Sequence, residues 1–67
     1  MKVTYDQQTD TLSVILRNDV AVVDSDEEKQ GVVLDYGEDG HLVSIEVLEA
    51  SSWVTDATHV DFERTGQ

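Results

Sequence analysis

The chain has 67 residues, with 15 acidic side chains against 4 basic ones and a formal charge of −11, and a domain this small has little core to spare for a second domain, a catalytic lid or a deep cofactor cleft. Such acidity repels phosphate backbones and anionic membranes, and Lys2, Arg17, Lys29 and Arg64 are scattered rather than gathered into a basic patch, which argues against nucleic-acid or membrane partners. There is no cysteine for a disulfide or a thiolate metal site, and no apolar run approaches the ~20 residues of a membrane span, so the chain reads as soluble and cytoplasmic.

Lys2 to Asp6 alternates Val3 and Tyr5 with polar residues, the period of a strand. After the polar connection from Gln7 to Asp10, Leu12, Val14 and Leu16 alternate with Thr11, Ser13 and Ile15, completing a first hairpin. Asn18 and Asp19 break the run, and Val20 to Val23 is read as a third strand or edge piece. Asp24 to Gln30 has no apolar anchor and is read as an exposed, mobile connection ending at Gly31.

Val32, Leu34 and Tyr36 resume the alternation. Gly37-Glu38-Asp39-Gly40 is a strong hairpin signal, because glycine takes the positive φ of a tight reversal. The return strand runs from His41 to Leu48 or Glu49, with Val43, Ile45 and Val47 on one face. Beyond Ala50, Ser51 or Ser52 is expected to cap a short helical turn carrying Trp53 and Val54. Thr58 to Glu63 alternates as a final strand, and Arg64 to Gln67 should fray. Eleven valines against three alanines, set in clusters between turn signals, favour a folded β-rich domain over disorder.

Two groups of residues carry a family resemblance. Tyr5-Asp6, Asp10, Leu12 and the apolar stretch from Val14 to Leu16 form the first. Gly31 to Asp35, Asp39-Gly40, Ile45 to Leu48 and Ala50-Ser51 form the second. In order and spacing, from about Val3 to Ser51, the chain resembles the small prokaryotic domain-of-unknown-function family 2283 (DUF2283). Ser44 stands where that family usually has glycine, and Ser13 where an aromatic residue or alanine is common. The resemblance implies a small antiparallel β-meander and supplies no activity.

Each candidate residue has a plain structural reading beside a functional one. Glu46, in mid-strand between Ile45 and Val47, reads first as a solvent-facing residue of a half-buried sheet; if shielded, its raised pKa would suit a general base or ligand. Asp6, Asp10, Asp35 and Asp39 are read at strand ends or turns, capping their own backbone, with a shared Ca²⁺ or Mg²⁺ site as the alternative. Asp35 to Gly40 lacks the spacing of a calcium loop. His41 and His59 show no paired zinc-ligand spacing, and the serines at 13, 25, 44, 51 and 52 lack a nucleophile motif.

The acidic excess fits salt adaptation, a basic protein partner as in antitoxin-like inhibitors, or, least well, mimicry of nucleic acid. Taken together, residues 1–67 are expected to form one mainly β domain: an antiparallel β-meander of four to six strands with one helical turn near the C-terminus. The expected function is a non-catalytic interaction module, self-associating as a homodimer and using no cofactor. A carboxylate-rich metal or small-ligand binder comes second, an inhibitor of a basic protein third, and an enzyme using Glu46 last. Tyr5, Asp6, Asp10, Asp35 and Glu46 form the expected functional surface, with no catalytic, cofactor or metal residue assigned.

Overall fold

The alternating segments do pair. In the computed structural model, which describes residues 1–66, five strands form one sheet: β1 (Lys2–Asp6), β2 (Thr11–Ile15), β3 (Asp24–Lys29), β4 (Val32–Tyr36) and β5 (Leu42–Val47). The order across the sheet is β1-β2-β5-β4-β3, and every neighbouring pair is antiparallel. Strands β3 to β5 run as a meander, and the β1–β2 hairpin joins through β2 against β5. The chain is therefore mainly β, with a single 3-10 turn at Ala50–Ser52 near the C-terminus.

Residues 16–23 carry the chain from β2 to the far edge. The amides of Leu16 and Arg17 both donate to the Val43 carbonyl, at 2.8 and 3.1 Å, and the Val23 amide donates to the Tyr36 carbonyl at 2.9 Å. On the way, Val20 packs so closely over Gly37 that a Cβ there would stand 2.9 Å from the valine methyl. The Arg17 guanidinium forks onto Asp39 at 3.1 and 2.9 Å, which holds the Asp39 carboxyl at a pKa of about 2. This strap ties the exit of β2 to the β4–β5 turn, where Gly40 takes the positive φ of 80° that the Asp-Gly signal implies.

Register assigns the two faces. Val3, Val14, Ile45 and Leu34 stand in one row across β1, β2, β5 and β4, and Tyr5, Leu12, Val47 and Val32 in the next. Because successive side chains alternate between faces, these rows share one face, as the sequence leads one to expect. Ser13, Ser44, Glu46, Val33, Asp35 and Ser25 lie on the other. The result is a slab of 36 × 32 × 19 Å. Among the described residues its buried hydrophobic side chains are Val43 and Ala50 alone, and no large side chain is fully enclosed.

Four local expectations are corrected. The acidic run read as a mobile connection is strand β3, an edge strand exposed throughout and held by its ladder to β4. The apolar stretch Val20 to Val23 belongs instead to the strap. Thr58 to Glu63 is not a strand: Asp56 accepts from the Thr58 amide and hydroxyl at 3.0 and 2.6 Å, and its carbonyl takes the His59 amide at 3.3 Å, so local turns use these groups. The short turn begins after Glu49, at φ 52°, without a side-chain cap, and Trp53 follows rather than sits in it. Residues 64–66 carry no regular structure, and the last residue of the expected frayed tail, Gln67, lies outside the described residues.

Candidate functional site

The five expected surface residues do not form one site. They divide between a clasp at the end of the β1–β2 hairpin and a carboxyl pair in the middle of the sheet, on β4 and β5.

Asp10 is the hub of the clasp. It closes the turn between β1 and β2 in the left-handed region, at φ 54°, which aspartate tolerates better than most residues. The Tyr5 hydroxyl donates to its Oδ1 at 2.6 Å, the Ser51 hydroxyl to its Oδ2 at 2.6 Å, and the Ser51 amide to Oδ1 at 3.1 Å. Its backbone carbonyl takes the Ala50 amide at 2.8 Å. Hydrogen bonds from Ser51 and then Tyr5 hold the Asp10 carboxyl below the usual carboxylate range, and its acceptance of the Tyr5 proton pushes that phenol up. Asp6 does the capping that the sequence suggests, accepting the Gln8 amide at 2.9 Å. These bonds make the clasp a joint between the first hairpin and the exit of β5. Asp10→Gly keeps the left-handed backbone free of steric cost while removing the carboxylate. Hydrogen exchange of the Ser51 amide is expected to quicken at least about tenfold in this variant, as local opening becomes easier; unchanged protection would mean that the backbone alone holds the joint.

Asp35 corrects the capping reading. It lies inside β4, only 4% exposed, and is no turn residue. The hydroxyls of Ser25 on β3 and Ser44 on β5 donate to its two oxygens at 2.7 Å each. Glu46, two residues beyond Ser44, shares that face and pairs with Val33, which makes it the diagonal neighbour of Asp35. It is half-buried against Asp35, unlike the solvent-facing residue expected from the sequence. Desolvation pushes Asp35 up, but the Ser25 and Ser44 hydroxyls and Glu46 outweigh it and hold the carboxyl low. Hydrogen bonding to Asp35, then burial and the repulsion of that charge, push Glu46 up. The two carboxyls are thus pushed in opposite directions, Asp35 toward its charged form and Glu46 toward its neutral one.

The chemistry open to this pair is narrow. A carboxylate held low is a weak base for the serine hydroxyls already bound to it. Among the described residues no three His, Asp or Glu side chains are placed to hold a metal ion. A groove of about 690 Å³ lies beside Gly31, Leu48 and Trp53, and one of about 360 Å³ lies against β1 near Ala57 and Val60; neither is lined by Asp35 or Glu46. His41 and His59 stand apart, the latter against Asp61 at 3.0 Å. The sequence reading weighs Ser25, Ser44 and Ser51 only as nucleophiles and so misses their part as donors to carboxylates. For Ser44 a signal was present, since its two-residue spacing from Glu46 puts both on one strand face.

No helix among the described residues is long and apolar enough to cross a membrane. Neither the curated proteins nor the solved structures contain a match to this chain. The profile of a family described as protein of unknown function (DUF2283) matches residues 2–51, from the first residue of β1 to the serine that closes on Asp10. That span holds the entire sheet, and the chain belongs to the DUF2283 family.

Proposed function

We propose that the domain is a non-catalytic assembly module that works by associating with copies of itself. The observation carrying this reading is the incomplete core: among the described residues the only buried hydrophobic side chains are Val43 and Ala50. A single sheet with one apolar face needs a second layer for lasting stability. The segment after β5 does not supply it, since Trp53 is 61% exposed and Phe62 81%. The non-catalytic half of the reading is supported by the Asp35 pair, whose oxygens are taken up by neighbouring hydroxyls and which lines neither groove.

Sedimentation velocity at tens of micromolar protein tests the reading. A dimer is expected, tightening from low to molar salt, because each chain brings a charge of −11 that salt screens. A well-folded monomer at every salt concentration would overturn it and turn attention to the acidic β3 edge and a basic protein partner.

A further inference from the structure

We infer that two copies of this chain pack apolar face against apolar face about a two-fold axis, an inference that rests on the self-association reading and adds the surface used. The two rows built on Val14 and Leu12 run across β1, β2, β5 and β4 without a charged side chain and end on β3 at Asp26 and Lys29. A copy seated over β1, β2 and β5, clear of the β3 margin that carries Asp24 and Asp26, therefore meets no like charge, although both chains are strongly acidic. The reverse face carries Lys2, Asp6, Asp35 and Glu46, and pairing through it would bury carboxyl groups against carboxyl groups.

The sheet edges are poorer routes. β3 presents Asp24, Asp26, Glu27 and Glu28 along one exposed edge, where a second β3 would set acid beside acid. Along β1, residues Ala57 to Val60 flank the strand across a groove. Face-to-face packing has the opposite electrostatic consequence. Sheets stack ~10 Å apart, so the two polar faces point outward roughly 20 Å from each other, about twice the screening length at 0.1 M salt.

The apolar rows span four of the five strands, on one broad side of a molecule whose overall extents are 36 × 32 × 19 Å, and a stable interface takes roughly 800 Å² from each partner. Val3 on this face is still 38% exposed, as is Leu16 just past the end of β2. A two-fold axis lets the same patch serve both chains and closes the assembly at two, so no apolar face is left to recruit a third.

Sedimentation of four proteins decides the matter: the natural chain, Val14→Glu at the middle of the face, Val3→Glu at its margin, and Thr4→Glu on the reverse face. Circular dichroism establishes that each is folded. The natural chain and Thr4→Glu are expected to dimerise within about threefold of one another, and Val14→Glu with a dissociation constant at least about tenfold weaker. If Val14→Glu unfolds, Val3→Glu on the edge strand decides in its place, with the same expected loss. A folded face variant that dimerises like the natural chain, or a Thr4→Glu protein that loses the dimer as completely, overturns this surface and leaves self-association standing. A natural chain that stays monomeric overturns both.

Discussion

Ser44→Ala is expected to lower the free energy of unfolding by roughly 1.5–3 kcal/mol, the range for a buried hydrogen bond to a charged group. Ser44 and Asp35 face each other in register on β5 and β4, both buried, and the serine hydroxyl donates to the carboxylate at 2.7 Å. Removing that donor leaves one oxygen of a desolvated carboxylate without its partner, in a place where water enters poorly. A domain of this length holds roughly 3–10 kcal/mol in all, so the melting temperature should fall by about 10 °C or more. Ser25→Ala removes the matching bond from an exposed edge strand, where water can take its place, and should cost less. Urea and thermal unfolding of the three proteins, at one protein concentration because association couples to stability, separates the cases. A Ser44→Ala protein within about 0.5 kcal/mol of the natural chain would mean that the carboxylate finds a replacement donor.

The contrast between these two serines marks where the fold was legible in the sequence. Strands β1, β2, β4 and β5 alternate apolar and polar residues, and an alternating strand declares both its existence and its inward face. The apolar face came out as the sequence implies because Val3, Val14, Ile45 and Leu34 fall into one row of the register. Strand β3 was not legible, because Asp24 to Lys29 buries neither face and is held by backbone bonds, which leave no trace in side-chain pattern. The same blindness misplaced Val20 to Val23: its apolar character serves the contact of Val20 with Gly37 and not a ladder. For the site, Asp10 and Asp35 looked alike as aspartates near turn residues. What separates them is pairing: Asp35 lies opposite Ser44, whereas Asp10 reaches forward to Ser51, 41 residues along the chain. Both are properties of the folded arrangement that no local spacing encodes.

Glu46→Gln is expected to raise stability at neutral pH by about 1 kcal/mol, the upper end for a cross-strand charge pair, and to reduce the loss of stability expected of the natural chain as pH rises. Glu46 has a folded pKa above its ordinary value of 4.5. Its contribution is therefore complete below that ordinary value and is lost as pH rises through the raised one. Asp35 behaves in the opposite sense, since its folded pKa lies below the ordinary 3.8. Its contribution is complete above that value and lost as pH falls through the depressed one. The two contributions run in opposite senses, that of Asp35 being lost on the acid side and that of Glu46 as pH rises. Glutamine keeps an N–H donor for Asp35 at every pH and carries no charge to repel it, so the alkaline limb should flatten. The acid limb should persist, because Asp35, Asp10, Asp39 and Asp56 all still have lowered values in the fold. Unfolding midpoints in urea, measured from about pH 3 to pH 8 for both proteins, test this reading. If the two curves run parallel above about pH 5, Glu46 and Asp35 titrate independently in the fold, and their coupling must be given up.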